Sequence, residues 1–185
     1  MLAVRTVHPE DAGNSVEGHH NLNNYGKWLS YEISNYAHPE HSILEIGCNS
    51  GVNLNELSKR GYTHLRGIDI NEEAVRQGNI RYPHLRLSAM NADNIDIPQS
   101  DIIFTCTCLM HLHPEIIRGA CHNIADKAKK YVITLENESM EECWSHYPRD
   151  YKRIFESKGY RQIKEKAVPM LPNHVLRVFK KGVKR

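Results

Sequence analysis

The stretch ILEIGCNSGVN leaves a run of β-forming residues and then places Gly47, Asn49 and Gly51 at alternate positions. Glycine lets the backbone approach another group closely, and asparagine is the other residue that best accepts a left-handed backbone. Glu45 lies two positions before the first glycine, where its carboxylate would repel a diphosphate but suit an ammonium group. The third glycine of the dinucleotide-binding pattern is also missing. The turn is therefore predicted to bind a ligand that carries a positive charge.

A second acidic residue follows at a suitable distance. Gly51 and Asp69 are 18 positions apart, close to the roughly 20 residues that separate a glycine turn from a ribose-binding acid on the next strand. By itself Asp69 is also compatible with a capping role at a helix that begins near Asn71. Together with the glycines it favours a ligand that contains ribose.

The stretch CTCLMHLHP combines two cysteines and two histidines. Paired cysteines in structural zinc sites are usually separated by two residues or more, whereas one residue separates Cys106 from Cys108. We therefore predict no metal site. An imidazole titrates near neutrality and can accept a proton, so His111 is the first candidate for a catalytic base and His113 the second. The alternative for His113, which precedes Pro114, is a place at the start of a helix.

Strands and helices alternate along the rest of the chain and would position these groups. The runs SILEIGC, LRGIDI, LRLSAM, SDIIFTCTCL and KYVITLEN predict five strands, and YRQIKEKAV and NHVLRVFKK predict two more. Tyr25, Leu29 and Ile33 have helical spacing before the first strand. This pattern implies a doubly wound α/β fold, a mostly parallel seven-stranded sheet between two helical layers. Ligands of such sheets bind at the carboxyl ends of the strands, where these candidates meet.

The motifs resemble those of class I S-adenosylmethionine-dependent methyltransferases from about Tyr25 to Lys180. EIGCNSG is similar to their first motif, acidic-x-Gly-x-Gly-x-Gly, with Asn49 in place of the middle glycine. GIDIN resembles the end of the second strand, where an acidic residue binds the ribose hydroxyls. MNADNIDIP resembles the segment that holds the adenine, and DIIFTCTCLMHLHPE resembles the fourth strand and the loop that closes over the cofactor.

The resemblance implies S-adenosylmethionine as the cofactor and a methyltransferase as the activity. In the adenine segment the usual acidic position falls on Asn91, with Asp93 two residues later, and either side chain can accept the adenine amine. Gly-x-Asn-x-Gly-x-Asn with LMHLHP is most similar to small methylases of bacterial surface-sugar biosynthesis. The implied cofactor-binding residues are Glu45, Gly47, Cys48, Asn49, Gly51, Asp69, Ile70, Asn91, Ala92, Asp93 and Cys106.

Three further side chains are candidates for the site. Glu136 ends the fifth predicted strand and should face the same mouth as His111. Tyr25 and Trp28 are predicted either to cap the cofactor or to pack in the core. The segment ENESMEECWSHYPRDY is predicted to form an acceptor pocket wall or a surface loop.

Composition limits the classes of partner. The chain of 185 residues favours one domain, residues 21–185, after a flexible arm of residues 1–20. Its net charge of +2 gives no footprint for nucleic acid. Five cysteines without disulfide-like spacing indicate a reducing compartment, and no run is suited to a signal peptide or a bilayer span, so we expect a cytoplasmic protein.

The sequence therefore predicts an enzyme that methylates an oxygen or nitrogen atom of a small molecule, without a membrane partner, and a sugar-like molecule is one candidate acceptor. A homodimer is compatible with this chain length, since a second copy can complete the pocket. Two alternatives remain: a nucleic-acid or protein methyltransferase, and a non-catalytic S-adenosylmethionine-binding protein.

Overall fold

The computed structural model of the protein describes residues 23–139 and 147–182. The predicted arm of residues 1–20 lies outside this part of the chain, as do Trp144 and His146 of the predicted pocket wall.

Helices and strands alternate as the sequence pattern indicates. The helices are α1 (Asn23–Ser34), α2 (Val52–Ser58), α3 (Glu72–Arg81), α4 (Pro114–Lys127) and α5 (Tyr151–Glu156). The strands are β1 (Ile43–Ile46), β2 (Leu65–Asp69), β3 (Arg86–Ala89), β4 (Ser100–Cys106), β5 (Ala128–Asn137), β6 (Tyr160–Ala167) and β7 (His174–Lys181). A short 3₁₀ turn, Leu109–His111, separates β4 from α4.

The strands form one seven-stranded sheet in the order β3-β2-β1-β4-β5-β7-β6. The neighbours from β3 to β5 are parallel, and β7 runs antiparallel to both β5 and β6. The strand order reverses between β1 and β4, which makes their carboxyl ends the switch point where ligands of such folds bind. The predicted doubly wound, mostly parallel sheet is confirmed.

Two hydrophobic clusters cover the two faces of the sheet. One contains Leu29 of α1 and Leu54 of α2, and the other contains Ile117 of α4 and Phe155 of α5. The helices therefore form a layer on each side, with apolar residues at helical spacing turned toward the strands. Within the described residues, no helix combines the length and the hydropathy needed to cross a bilayer.

Two ion pairs of the buried Glu32 carboxylate join helix α1 to β6, the edge strand of the sheet. The Glu32 carboxylate accepts hydrogen bonds from Lys164 Nζ at 2.9 Å and Lys166 Nζ at 2.6 Å, both on β6. Burial alone would raise the pKa of Glu32, but the two ammonium groups lower it below its ordinary value. This contact matters for the site because the same helix carries Tyr25.

Two local predictions can be compared with the helix ends. Asn71 caps α3 as expected, since its side chain accepts the Ala74 N–H at 3.0 Å. The spacing of Tyr147, Tyr151 and Phe155 in the sequence predicts a helix that includes Tyr147, but α5 begins only at Tyr151. Pro148 disfavours helical backbone at the residue before it, and Asp150 caps the helix by accepting the Arg153 N–H at 2.9 Å.

Candidate functional site

In the turn after β1, every second residue from Gly47 to Gly51 has a left-handed backbone conformation. The φ angles are +75° at Gly47, +47° at Asn49 and +82° at Gly51. A Cβ on Gly47 would lie 2.6 Å from the Cβ of Cys108, so the turn and the loop after β4 touch only because a side chain is missing. Asn49 suits its position because its own Oδ1 accepts the Ser50 N–H at 2.7 Å.

A cavity opens beside this turn, at the carboxyl ends of β1 and β4. Tyr25 lines it from α1 and is almost fully buried, with 5% of its surface exposed. Trp28, the other predicted cap, packs against the core and has Lys166 Nζ 5.2 Å above its ring. The cavity is lined by Tyr25, Gly47, Cys48, Asn49, Val52, Asn53 and Cys106.

Glu45 lies behind the cavity wall and has no exposed surface. Its Oε1 accepts a hydrogen bond from Asn53 Nδ2 at 2.8 Å, whereas its buried Oε2 has no partner among the described residues. Burial raises the pKa of the Glu45 carboxyl well above its ordinary value; the bond from Asn53 opposes this, and the charge of Asp69 adds to it. A buried acceptor without a partner costs free energy, which a bound cation or donor would recover.

Asn53 is a site residue that the sequence did not assign. It is the second asparagine of the Gly-x-Asn-x-Gly-x-Asn stretch, and it both lines the cavity and donates to Glu45. Its contact with α1 is close, because a Cβ on Gly26 would lie 3.1 Å from Asn53 Oδ1. The repeated asparagine was the signal in the sequence that could have identified it.

Asp69 connects the glycine turn to the start of α3. Its Oδ2 accepts the Asn49 N–H at 2.7 Å, and its Oδ1 accepts the Asn71 N–H at 2.9 Å. Each carboxylate oxygen has a further lone pair, so these bonds leave acceptor capacity for a ligand hydroxyl. Ile70 follows Asp69 and has 59% of its surface exposed.

The predicted adenine segment lies beside the end of β2. The Met90 N–H donates to the Asp69 carbonyl at 2.9 Å, which joins the two segments. Asn91 Oδ1 accepts the Asp93 N–H at 3.4 Å, a long bond that stabilises a turn. Asp93 is exposed, its carboxylate forms no ion pair with any residue of the described ranges, and Ala92 packs against the α4-side cluster. Asp93 is thus the less constrained of the two acceptors.

The two histidines have different structural roles. His113 is at the N-cap of α4, where its Nδ1 accepts the Glu115 N–H at 3.4 Å, the position that the following proline indicated. Its ring is edge-on to Tyr147 with 5.9 Å between centroids. His111 ends the 3₁₀ turn and is half-buried, in the loop that follows β4.

Glu136 is not in the mouth of the site, which corrects its expected position. It is fully buried beneath the loop after β4, and its Oε2 accepts the N–H groups of Cys108 and Met110, each at 3.1 Å. Burial raises the pKa of Glu136 to about 7, although the backbone bonds from this loop act in the opposite direction. Glu136 therefore holds the loop that carries His111, and it does so from below.

Nothing among the described residues brings three metal-ligating side chains together. Cys106 packs in the cluster on the α1 side of the sheet, whereas Cys108 packs against the cluster on the α4 side. Burial raises the pKa of both thiols well above the ordinary value, so neither is poised to ligate as a thiolate.

Comparisons with known proteins agree with this geometry. A family described as a methyltransferase domain matches residues 43–131. EEF1A lysine methyltransferase 2 of Mus musculus is 26% identical over 152 residues, which cover 81% of this chain and 54% of that protein. The mRNA cap guanine-N(7) methyltransferase of Eremothecium gossypii is 29% identical over 83 residues, which cover 44% of this chain and 19% of that protein. The chain thus spans about half, or less, of the length of these relatives.

Among solved structures, a TehB-like SAM-dependent methyltransferase from Corynebacterium glutamicum superposes with a TM-score of 0.76 at 18% sequence identity. The match covers 94% of this chain and 99% of that one. At this identity the likeness establishes the fold, which extends well beyond residues 43–131.

Proposed function

We propose that the chain is a class I S-adenosylmethionine-dependent methyltransferase, which transfers a methyl group from S-adenosylmethionine to an oxygen or nitrogen atom of a small molecule; the matching methyltransferase domain, the relatives and the fold support this. The observation that carries the proposal is the buried carboxylate of Glu45, whose Oε2 lacks a partner behind the glycine turn. The amino-acid end of S-adenosylmethionine carries an ammonium group, whose charge suits this position directly or through water.

The other residues fit the remaining parts of the donor. The backbone at Gly47 and Gly51 permits close approach, and Asp69 keeps acceptor capacity for the ribose hydroxyls. Ile70 offers an exposed apolar surface beside the Asn91–Asp93 segment, where we place the adenine. The proposed donor-binding residues are Glu45, Gly47, Cys48, Asn49, Gly51, Asn53, Asp69, Ile70, Asn91, Ala92, Asp93 and Cys106.

When bound, the donor supplies an electrophilic methyl group on a sulfonium. The chain's own contribution is to hold donor and acceptor in line, which accounts for much of the rate gain in such displacements. We assign to His111 the removal of the proton from the attacking hydroxyl or amine. Glu136 fixes the loop around His111 through the Cys108 and Met110 amides.

A small acceptor is supported by the near-balance of 24 basic and 22 acidic residues, which gives little attraction for RNA phosphates. The resemblance of the Gly-x-Asn-x-Gly-x-Asn and LMHLHP stretches to methylases of bacterial surface-sugar biosynthesis supports a sugar-like acceptor. The relatives favour a second candidate, because the names of the mouse and fungal proteins describe activity on a protein lysine and on an mRNA cap. The compartment is proposed to be the cytoplasm, since the four described cysteines are free thiols.

Calorimetry with S-adenosylmethionine tests the role of Glu45 in donor binding. Burial raises the pKa of Glu45, and glutamine has the shape of a protonated glutamate. Glu45→Gln should therefore fold normally but bind the donor about tenfold or more weakly at pH 7, because it cannot become an anion. An ammonium group beside Glu45 lowers the pKa that burial raises, so donor binding should release more protons from the wild type than from Glu45→Gln.

The control is Glu72→Gln, which neutralises an exposed carboxylate on α3 and should leave donor affinity within about twofold. Equal affinities and equal proton release for the wild type and Glu45→Gln would remove Glu45 from the site. An absence of donor binding by the wild-type chain would overturn the proposed function itself.

Labelled donor identifies the acceptor class. A cell extract separated into small molecules, RNA and protein is incubated with the chain, and label is expected in the small-molecule fraction. His111→Ala should slow turnover by about a hundredfold or more while donor affinity stays the same, since general bases contribute 10²–10⁴. Label found only in protein or RNA would favour the second candidate, and wild-type turnover of His111→Ala would exclude it as the base.

A further inference from the structure

A second pocket lies at the amino ends of the parallel strands, whereas the donor site lies at their carboxyl ends. It is formed where β1, β2 and β3 begin, and its volume is about 210 Å³. The residues that line it are Ser42, Thr63, His64, Leu65, Arg66 and Arg86. Five of these six are polar or basic, and none is acidic. The pocket therefore differs in chemistry from the cavity beside the glycine turn.

Two arginines of this pocket are direct neighbours in the sheet. Arg66 on β2 is the Cα partner of Arg86 on β3 in the parallel register. Paired residues of neighbouring strands project to the same face and are separated by about 4.8 Å between strands. Like charges in such a position destabilise a sheet unless an opposite charge compensates them.

No carboxylate in the described part of the chain compensates this pair. Neither arginine forms an ion pair there, and Arg66 Nη2 donates only to the hydroxyl of Ser100 at 3.3 Å. The neighbouring acid, Asp101, already accepts from the Ser42 N–H at 3.0 Å and lies 3.6 Å from Lys130 Nζ. The local charge is therefore positive.

We propose that this pocket binds the phosphate group of a small phosphorylated ligand. Guanidinium groups present planar pairs of donors that match phosphate oxygens, and two arginines that line one pocket can hold a dianion that a single arginine holds weakly. The hydroxyls of Ser42 and Thr63 and the ring of His64 supply further polar groups for the rest of the ligand.

The pocket is a separate site, not an extension of the donor cavity. Along β2, Arg66 is three residues before Asp69. Their Cα atoms are therefore about 10 Å apart along the strand, near its opposite ends. Its size suits a phosphomonoester, and the near-neutral chain gives no basic track along which a polynucleotide would continue. The inference does not depend on the proposed methyl transfer.

Thermal unfolding tests the proposal, because Arg86→Gln should raise the unfolding midpoint without phosphate but remove the rise that phosphate causes. In phosphate-free buffer, Arg86→Gln should raise the unfolding midpoint by about 1–3 °C, because it removes a like charge. Inorganic phosphate at tenfold its dissociation constant should raise the wild-type midpoint by about 3 °C or more and should not raise that of Arg86→Gln. A lower midpoint for the variant, together with an equal response to phosphate, would overturn the proposal.

Titration calorimetry compares inorganic phosphate, glycerol 3-phosphate and a single-stranded RNA without terminal phosphate. The first two should bind the wild type, and both Arg66→Gln and Arg86→Gln should lose about tenfold or more in affinity. Arg76→Gln is the matched control, because it removes the same charge from the exposed face of α3, where Arg76 pairs with Glu73 at 2.7 Å. It should keep wild-type affinity.

Binding of RNA alone, equal losses in all three variants, or no saturable binding of either phosphate compound would each contradict a phosphate site. Circular dichroism of each variant separates loss of the site from loss of the fold. A chain that binds phosphate but not S-adenosylmethionine would support this site while rejecting the proposed function.

Discussion

Replacing Asp69 with alanine is expected to weaken the binding of S-adenosylmethionine by about tenfold or more, because hydrogen bonds to a charged acceptor contribute about 1.5–3 kcal/mol. The same carboxylate accepts the Asn49 and Asn71 N–H groups, so the variant also loses the connection between the glycine turn and α3. Calorimetry at a temperature well below the unfolding midpoint measures the affinity.

Asp101→Ala is the matched control for the structural part of this effect. Like Asp69, Asp101 accepts two hydrogen bonds, here from the N–H and the hydroxyl of Ser42, but it lies at the amino ends of the strands. It should lower stability and leave donor affinity near that of the wild type. An analogue of S-adenosylhomocysteine that lacks the ribose hydroxyls isolates the direct contact. The wild type should bind this analogue more weakly than S-adenosylhomocysteine, whereas Asp69→Ala should bind the two compounds equally. If the variant still distinguishes the two, Asp69 does not bind ribose.

Glu136→Gln is expected to change how stability depends on pH. The pKa of Glu136 is about 7 in the folded protein, whereas an unfolded glutamate has a pKa of about 4.3. The folded state therefore holds this proton more tightly, and the free energy of unfolding falls as pH rises from about 4 to about 7 and is level above that. The glutamine variant lacks this fall, so its stability relative to the wild type should increase by up to about 4 kcal/mol across that range.

Urea unfolding at several pH values measures this difference, and the comparison between variants removes the contributions of other groups, such as His41, whose lowered pKa has the opposite pH dependence. Glu138→Gln is the control, because Glu138 lies two residues further on and pairs with Arg177 at 2.6 Å. A wild-type curve parallel to that of Glu136→Gln would show that Glu136 titrates normally.

Much of the fold followed from local patterns. The sequence pattern indicated all seven strands, and β1 and β4 were the clearest because buried parallel strands are short and continuously apolar. The glycine turn marked the carboxyl end of β1. The positions of Asn71 and His113 at helix starts followed from capping chemistry. These features depend on neighbours in sequence, which is why the sequence could predict them.

Features that depend on distant residues were harder to predict. Glu136 was expected in the mouth of the site, but its orientation is set by the Cys108 and Met110 amides from another loop. Asn53 gained its role from Glu45, eight residues earlier, through a side-chain contact that spacing alone does not reveal. The register that pairs Arg66 with Arg86 likewise exists only once the two strands are aligned.

The position of β7 has a consequence for the nascent chain. β7 follows β6 in sequence but lies between β5 and β6, so β6 has no place in the sheet until β7 pairs with β5. During translation the five strands from β3 to β5, which carry the cavity beside the glycine turn, can assemble first, with β5 as a bare edge. That edge is open to association with other chains while residues 138–173 are added. Chaperone demand should therefore be highest in this interval, after the first five strands have formed and before β7 inserts.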